Sequence, residues 1–520
     1  MRAATLLLLA MACTRDPGAP KVIVTYDDVN EAGGAGDLPL PRLEERGGLS
    51  FEIVDDATGQ RMPGKLTILG AKGTKDPRFT KNDIGREEEG AICAYDRIFS
   101  LAGVGVVPLP VGTYDVTVSR GIEWTIATQR ITMTTAGVEV RARIKHVIDT
   151  PHWASGDFHV HAASSPDSRV PMRDRVYEFI ADGVDMIVST DHNVVADYAP
   201  VIADLHAEKL LSSVAGDEVS TGSWGHFGAF PLPHDMDNEG HGAIAVRAKT
   251  ATEIFASIRA SAPNAIIDVH HPRLEQATGY FLLGKFDDKR DTSTRKGFSY
   301  DFDAIEILNG YQDTNRRTID RVMTDWFALL DRGHLVTATG NSDTHHLKYN
   351  LGGYPRNYVL VDHDEPGVVT GADIARGLRA HHSYFTTGPI VELRVGEAGI
   401  GDLAPAPGGR ATATIAVRAA PWVSVSRVIV YVGGKEMKRW TVPDGDAVAR
   451  FRQTFDVAAP HDTYVVVRVE GDHPLSPVVG GGKEVSVTPF ALTNPIFLDA
   501  NANGKYDPPI AHGAHASDEP

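Results

Sequence analysis

Hydrophobic and polar positions alternate in two different ways along this 520-residue chain, and the change between them predicts its organisation. From about residue 47 to 148, and again after 391, short runs alternate apolar and polar residues in steps of two between turn residues. Such runs are typical of half-buried strands. From 149 to 390 apolar strand-like runs alternate with amphipathic helical stretches. The pattern therefore predicts an α/β segment between two β modules.

The two outer segments are predicted to be all-β and sandwich-like. Several short strands at regular spacing suggest a sandwich of about 100 residues for 47–148 and a second β module for 391–510. No cluster of histidine and acidic residues converges in the first module, which favours a structural role over a ligand-binding one. The clearest strand patterns are 51–54, 65–69, 114–118, 138–144, 412–417, 428–432 and 463–469.

The middle segment is predicted to be a barrel of the (β/α) kind. Strand and helix patterns alternate there, which favours a parallel sheet, and about 240 residues is the size of such a barrel. A barrel of this kind places its chemistry at the carboxyl ends of its strands. The strand patterns are 185–189, 265–269, 304–308 and 335–338, and the helical patterns are 172–181, 251–260 and 315–330.

The N-terminal residues have the pattern of a targeting segment. Arg2 precedes an apolar run of about ten residues, which is too short to span a bilayer and ends in small residues before Cys13. Residues 1–13 predict a lipoprotein-type signal peptide with Cys13 as the lipidated residue, and 14–46 a linker. An ordinary secretory signal or a mis-assigned start are the alternatives. We expect an extracytoplasmic protein, either a bacterial membrane lipoprotein (periplasmic or at the cell surface) or a secreted one, and a mobile tail at 511–520.

Composition narrows the partners and the metal chemistry. A hydrophobic content of 42% and a charged content of 23% are those of a soluble globular protein. The formal charge of −17 argues against nucleic acid, and membrane contact is expected only through the lipid anchor. With Cys13 and Cys93 as the two cysteines, a thiolate zinc module is excluded. Any bound ion must be held by His, Asp and Glu.

A polar loop near the C-terminus resembles a calcium-binding loop. Oxygen-bearing residues occupy its positions 1, 3, 5 and 9, and Gly504 occupies position 6. The carboxylate expected at position 12 is missing, because Ile510 stands there. Calcium binding and a plain polar turn are both open. The candidate calcium ligands are Asp499, Asn501, Asn503 and Asp507.

Histidines are concentrated in the middle segment, where 16 of the 21 lie between His152 and His382. His159 and His161 end a strand pattern two residues apart, so their side chains share one face. Asp343 and His345 repeat that spacing. Two imidazoles on one face of a strand end form a metal-ligand pair more readily than a packing device.

Further candidate ligands follow the other strand patterns. One such motif alone would more often be structural. Several at the strand ends of one segment are hard to explain without a cation, because burying many imidazoles and carboxylates costs desolvation free energy and brings like charges close together. Adjacent residues point to opposite faces, so one member of each adjacent pair is expected to enter the site. His206, His234, His241 and His334 lack this context. The additional candidates are Asp167, Asp191, His192, Glu218, His226, His270, His271 and His346.

The order of these motifs, H-x-H, T-D-H, G-x-E, H-P-R and S-D-x-H, resembles the polymerase and histidinol phosphatase (PHP) superfamily over about 150–390. The segments 156–158, 271–273 and 387–389 resemble its extracellular carbaryl-hydrolase-like branch. The resemblance implies a multidomain protein with a central distorted (β/α)7 barrel flanked by two all-β sandwich-like domains. It also implies up to three bound metal ions.

The resemblance further implies which residues hold each ion. A first ion would be held by His159, His161, Glu218 and Asp343. A second would share Glu218 with His226 and His271. A third would use Asp167, His192 and His345.

Four more residues are candidates for catalytic or supporting roles. Asp191, with His270, is expected to orient ligands, and His346 to do so or to donate a proton. Arg273 and Arg356 are expected either to clamp an anionic substrate or to form structural ion pairs.

This ligand set predicts a hydrolase that uses water activated by two or three divalent ions of Zn, Mn or Fe. The resemblance to the PHP superfamily implies a small anionic phosphoester as the substrate. Ester or carbamate hydrolysis at the same site is the second reading. A non-catalytic surface lipoprotein with structural metals is the alternative of another class.

Overall fold

The N-terminal part of the described chain consists of strands. Apolar residues stand there at every second position, which places them on one face of a strand. The computed structural model describes residues 45–274, 278–289, 292–310, 316–480 and 486–510, so Cys13, most of the predicted linker and the tail 511–520 lie outside it. The first strands are β1 Arg46–Asp55, β2 Gly64–Ala71, β3 Arg86–Glu88, β4 Ala91–Ala94, β5 Arg97–Ser100, β6 Val104–Pro110, β7 Gly112–Ser119, β8 Ala127–Met133 and β9 Val138–Ile144.

These strands form two sheets around one apolar core. One sheet has the order β6–β1–β9 and the other the order β3–β4–β5–β2–β7–β8. Leu49, Phe51 and Ile53 alternate inward from β1 and meet Leu66 and Ile68 of β2 in the same buried cluster. The alternation of apolar and polar residues along the strands explains this arrangement, because it gives each sheet one apolar face that can pack in a shared core.

The middle segment carries the helices, and two of them begin with complete capping boxes. The side chain of Thr250 accepts from the backbone of Glu253 before α3, and Thr370 pairs with Asp373 before α6. The elements are β10 Trp153–Val160, α1 Met172–Ala181, β11 Met186–Ser189, α2 Ala199–Asp204, β12 Ser212–Val214, β13 Asp217–Thr221, β14 Gly225–Phe230, α3 Ala251–Ser261, β15 Ile266–Val269, α4 Tyr280–Leu283, β16 Phe286–Asp287, β17 Thr292–Ser293, β18 Ala304–Asn309, α5 Arg316–Asp331, β19 Thr337–Asn341, β20 Arg356–Leu360, α6 Gly371–Arg379 and β21 Ser383–Thr386.

Strand pairing in this segment forms a circuit. β10 pairs with β11 in parallel, and β13–β14–β15–β18–β19 form a second sheet. Isolated parallel bridges join the two sheets at His192–Glu218 and at Val160–Thr344. The pairing therefore runs through β10, β11, β13, β14, β15, β18 and β19 and returns to β10. The (β/α)7 barrel itself stays a prediction.

One strand of the circuit departs from the expected parallel arrangement. β14 is antiparallel to both β13 and β15. The connection from Thr221 to Gly225 is a short turn, and a parallel neighbour would need a crossover of about a dozen residues. The hairpin matters for the site, because it carries Glu218 on one strand and His226 on the other.

The C-terminal strands extend the sheet of the middle segment. β21 pairs with β29, and the order continues β29–β28–β25–β26, while β22–β24–β27 form a separate sheet. Among the described helices, none is long and apolar enough to cross a membrane. The last strands are β22 Ile390–Val395, β23 Leu403–Pro405, β24 Arg410–Arg418, β25 Arg427–Val432, β26 Lys435–Thr441, β27 Ala449–Ala458, β28 Thr463–Glu470, β29 Phe490–Thr493 and β30 Ile496–Asp499.

Candidate metal centre

The candidate ligands lie at or just beyond the ends of the circuit strands. His159 is in β10 and His161 follows it, while Asp343 and His345 follow β19. All nine residues predicted as metal ligands belong to four overlapping groups, and within each group the potential ligand atoms lie within 4.8 Å of one another. The groups are His159, His161 and Glu218; His159, His271 and Asp343; His192, Glu218 and His226; and His161, Asp167, His192 and His345.

Glu218 is the centre of the cluster. Its Oε1 lies 3.1 Å from His159 Nε2, 3.2 Å from His226 Nδ1 and 3.3 Å from His271 Nε2. Its Oε2 lies 2.6 Å from His192 Nδ1. One carboxylate thus touches imidazoles from four different strand ends, which is the arrangement expected of a bridging ligand.

Two further carboxylates complete the cluster. Asp343 Oδ1 lies 3.2 Å from His159 Nε2 and 3.3 Å from His161 Nε2. Asp167 Oδ2 lies 3.0 Å from His192 Nε2 and 3.2 Å from His345 Nε2. Each carboxylate therefore has imidazole nitrogens on two sides, as mixed nitrogen and oxygen ligand sets for Zn, Mn or Fe do.

The donor atoms at the centre fit a cation. Among the described residues, the buried atoms His159 Nε2, His161 Nε2 and Glu218 Oε2 have no hydrogen-bond partner, although charged atoms lie close to each. Buried polar atoms without partners are rare and costly. Lone pairs that converge without bonding each other are satisfied by a metal ion.

Electrostatics in the cluster favour ionised carboxylates. Burial alone would raise the pKa of Glu218, but the charges on His226, His192 and His159 hold it well below its usual value. Burial likewise opposes the low pKa of Asp343, and the charges on His159 and His345 outweigh it. These acids stay charged at neutral pH and are ready to bind a cation.

The imidazoles divide into two types. Burial, with the neighbouring His345, lowers the pKa of His161 to about 3, so its ring is neutral. Burial also opposes the charged form of His192, but Glu218 and Asp167 raise the pKa of that ring to about 10. His159 behaves like His192, since Asp343, Glu218 and Glu306 raise its pKa well above the usual value against burial. A bound ion would displace these protons.

One side of the cluster is closed and the other is open. His159 and His161 are fully buried, whereas 48% of the Asp167 side chain and 16% of the His192 side chain are exposed. His226 and His345 are also partly exposed. The group around Asp167 and His192 therefore faces solvent, and the group around His159 does not.

Asp191 and His270 lie beside the cluster and outside the four groups. Asp191 accepts from the backbone of Ala162, next to His161, at 2.7 Å. The His270 ring stacks on His159 with centroids 3.6 Å apart, and its Nδ1 lies 3.0 Å from Glu218 Oε1. Its Nε2 faces Gly228, where an added Cβ would lie 2.4 Å from it.

The two arginines predicted to clamp substrate are engaged elsewhere. Arg273 donates two hydrogen bonds to Asp325, at 2.7 and 2.8 Å, and a third to a backbone carbonyl. Arg356 is 1% exposed and donates to the carbonyls of Asp182, Gly183 and Gly353. Of the two roles expected for these arginines, the contacts fit the structural one, because a buried guanidinium needs such acceptors to offset its desolvation.

His346 is held away from the ligand groups by the N-terminal module. Its Nδ1 lies 2.9 Å from Asp83 Oδ2, and Asp83 Oδ1 accepts from the backbone of Leu347 at 3.1 Å. The loop after β19 that carries Asp343 and His345 is thereby tied to the first β module. A proton-donor role for His346 stays a prediction.

The predicted calcium loop is folded around its own donors. Asp499 accepts from the backbone of Asn503 and Gly504, and Asp507 accepts from the Asn501 side chain at 2.9 Å. Lys505 Nζ lies 2.8 Å from Asp507 Oδ1. A calcium ion would have to displace that ammonium group, and calcium binding stays a prediction.

Sequence reasoning missed the residues that hold the ligands in place. Ser165 Oγ lies 3.2 Å from His161 Nδ1 and donates to Asp167 at 2.8 Å. Ser220 Oγ lies 2.6 Å from His192 Nδ1. Glu306 Oε1 lies 3.0 Å from His159 Nδ1. Glu306 carried a readable signal, because it is a lone acid inside the apolar run 304–308, whereas the two serines carried none.

Comparison with known proteins adds no family assignment. No family model matches the chain, and no curated protein matches it. A lesion-specific endonuclease from Pyrococcus furiosus aligns with 16% identity and a TM-score of 0.29 over 44% of this chain, and this chain spans just over half, 56%, of that endonuclease. Endonuclease Q bound to a 27-mer duplex with an abasic lesion aligns equally. A CARDB domain from Pyrococcus furiosus aligns with 18% identity over 21% of this chain, with a TM-score of 0.15. Scores this low support no conclusion about function.

Proposed function

We propose that the protein is a metal-dependent hydrolase whose site is the cluster around Glu218. The observation that carries the proposal is that three buried residues of one ligand group, His159, His161 and Glu218, bear the unpartnered atoms Nε2, Nε2 and Oε2. Divalent ions bound there would supply Lewis acidity and a water of lowered pKa near neutrality. The order of the strand-end motifs supports a relation to the PHP superfamily, and the circuit of strand pairings supports the (β/α)7 barrel.

The open side of the cluster favours catalysis over a purely structural metal site. Structural ions are closed off by protein ligands, whereas catalytic ions keep a position for water or substrate. Here Asp167 and His192 reach solvent while His159 and His161 lie at the buried end. Substrate would therefore approach from the side of Asp167, His192 and His345.

A phosphoester is the proposed substrate class. Clustered cations neutralise the charge that develops on phosphoryl oxygens, and several overlapping ligand groups provide for more than one cation. Arg273 and Arg356 are not available to bind the phosphate, so the ions would carry that task. Ester or carbamate hydrolysis at the same site is the second candidate, favoured by the resemblance to the carbaryl-hydrolase-like branch.

A substrate panel tests the proposal. Protein reconstituted with Zn²⁺, Mn²⁺ or Fe²⁺ is assayed with bis-para-nitrophenyl phosphate, para-nitrophenyl phosphate, para-nitrophenyl acetate and an aryl carbamate. We expect turnover of a phosphoester, and loss of it in His159→Ala but not in His363→Ala, which changes an exposed histidine. If the metal-loaded protein turns over none of them and His159→Ala alters only the melting temperature, the surface lipoprotein with structural metals replaces the enzyme.

We further propose export and anchoring through a lipid on Cys13, with a small anionic molecule and no nucleic acid as partner. The apolar run before Cys13 and the charge of −17 support this proposal. Mass spectrometry of the N-terminal peptide from membranes would detect the lipid. A Cys13→Ala chain that stays in the membrane fraction would contradict it.

A further inference from the structure

Glu306 lies beneath the metal cluster, where four donors surround it. It is 1% exposed and stands in the middle of β18 among apolar neighbours. Oε1 lies 3.0 Å from His159 Nδ1 and accepts from Asn341 Nδ2 at 3.0 Å. Oε2 accepts from the backbone of His271 at 2.7 Å and from Asn309 Nδ2 at 3.0 Å. A carboxylate that only accepts is therefore matched to four donors.

The orientation of Asn341 supports this network. Its Oδ1 accepts from the backbone of Phe158 at 3.3 Å and from Asn357 Nδ2 at 2.7 Å, so its Nδ2 is left to donate to Glu306. Because the Glu306 carboxylate can only accept hydrogen bonds, the neighbouring Nδ1 of His159 must be the protonated ring nitrogen that donates to it. Once a bound ion has displaced the second proton, the ring has its lone pair on Nε2, the atom 3.2 Å from Asp343 Oδ1.

The same network reaches every member of one ligand group. His159 is bonded through its ring and His271 through its backbone, and Asp343 is reached through Asn309, whose Nδ2 also donates to Asp343 Oδ2 at 3.0 Å. His271 has a φ of 29°, which an L-residue seldom adopts without support. The three residues His159, His271 and Asp343 form one of the four groups of potential ligands.

We infer that Glu306 is the positioning residue of this metal centre: it sets the tautomer of His159 and, with Asn309, holds His159, His271 and Asp343 in one arrangement. The inference rests on the metal binding of the proposed function but not on its reaction. The group around Asp167, His192 and His345 has no hydrogen bond to Glu306 among those of the described residues. An ion there is expected to be independent of it.

The metal affinity of the full-length protein tests the inference. Zn²⁺ and Co²⁺ are titrated into metal-free protein in competition with a chromophoric chelator, and the visible spectrum of Co²⁺ reports ligand geometry. For Glu306→Gln we expect affinity to fall about 10–100-fold for the ions that His159 binds, as loss of a partner that orients a ligand does. The reason is that the glutamine side chain of Glu306→Gln would place its NH₂ group against N–H groups that now donate to Glu306, so at least one of those hydrogen bonds would be lost. We also expect a changed Co²⁺ spectrum and an unchanged ion at the exposed group.

Asp182→Asn is the matched control. Asp182 is also fully buried, but it accepts from Lys65 Nζ at 2.8 and 2.7 Å and from the Tyr354 hydroxyl at 3.0 Å, and it belongs to none of the ligand groups. We expect its metal affinity and Co²⁺ spectrum to equal those of the wild type. If both variants lose metal equally, the role of Glu306 is general stability and the inference is overturned.

Two outcomes separate the inference from the proposed function. If wild-type protein binds metal and Glu306→Gln binds it equally well, the inference fails and the proposed function stands. If the wild type binds no divalent ion, both fail together. Should Glu306→Gln not fold, Asn309→Ala carries the test with a smaller expected loss, about tenfold, and an affinity equal to that of the wild type overturns the inference.

Discussion

Two buried polar regions of this protein contain charged groups with no access to water, yet they are built on opposite principles. In the Lys65–Asp182 cluster, Lys65 Nζ donates to both carboxylate oxygens of Asp182, at 2.8 and 2.7 Å, and the Tyr354 hydroxyl donates to the same carboxylate at 3.0 Å. Arg356 donates to the backbone carbonyl of Asp182. In the metal cluster, by contrast, His159 Nε2 and Glu218 Oε2 lack a partner among the described residues.

The difference shows what distinguishes a buried functional site from a buried structural one. Burial is common to both regions, and so are shifted pKa values, since burial lowers the pKa of Lys65 to about 8 against the charge of Asp182. The distinguishing feature is the match between donors and acceptors. The Lys65–Asp182 cluster is complete as it stands, whereas the donor atoms around Glu218 would need a cation to satisfy them.

The largest effect is expected from removing a central residue of the candidate metal site. His159→Ala should lower turnover of the best substrate by at least about 10⁴-fold, because metal-assisted chemistry carries most of an enhancement that typically exceeds about 10⁶. Metal content per chain should fall as well. Steady-state kinetics and elemental analysis measure both, with His363→Ala as the control. Retained activity in His159→Ala would place the reaction elsewhere.

Lys65→Met tests the structural region. Asp182 would stay buried without its main partner, so we expect a loss of about 3–5 kcal/mol in the free energy of unfolding, with metal content unchanged. Urea unfolding followed by circular dichroism gives the value. Arg130→Met removes an exposed pair with Asp115 and should leave the free energy of unfolding nearly unchanged. A Lys65→Met protein that is stable but loses metal would reverse the assignment of the two regions.

Stability against pH should separate metal-free from metal-loaded protein. Glu218 and Asp167 raise the pKa of folded His192 to about 10 against the effect of burial, above an unfolded value of about 6.5. Its stabilisation is therefore fully present below pH 6.5 and is lost as pH rises to about 10. With a chelator present, the stability advantage of wild type over His192→Gln should shrink across that window.

Bound metal should alter the same comparison, because a cation replaces the proton on His192. Urea unfolding of both proteins with excess Zn²⁺ should show an advantage of the wild type that does not decline between pH 6.5 and 9. An advantage that falls equally with and without metal would mean that His192 is not a ligand.

The smallest expected effect comes from the contact beneath the cluster. In Gly228→Ala the new methyl group would lie 2.4 Å from His270 Nε2 and push that ring against His159. Overpacking of this kind costs about 1–3 kcal/mol, and metal affinity should fall with it. Thermal unfolding and chelator competition measure the two changes. Gly222→Ala, where a Cβ meets no atom within 4 Å, should change neither.

Much of the site could be predicted from short stretches of sequence. Alternation along a strand places His159 and His161 on one face, and ligand types recur at successive strand ends, so the nine candidate ligands could be named before their distances were known. The segment pattern also located three of the six α-helices in the described residues, with 172–181 observed as Met172–Ala181. These features depend on backbone periodicity, which is local.

The fate of the two arginines could not be predicted in this way. Arg273 binds Asp325, which is 52 residues away, and Arg356 binds carbonyls of Asp182 and Gly183, more than 170 residues away. A guanidinium looks the same in sequence whether it awaits a phosphate or is saturated by the protein. Only packing brings its acceptors to it.

Local sequence therefore determined the ligand types, their order and the faces that carry them, because side-chain direction follows from backbone period alone. The tertiary structure decided which of His270 and His271 joins a ligand group: the His271 ring belongs to one, whereas the His270 ring stacks on His159 with its Nε2 towards Gly228. It also decided that a distant carboxylate, Glu306, supports His159. Those outcomes depend on contacts between strands far apart in the chain, and the lone pairs around Glu218 converge only when those strands meet.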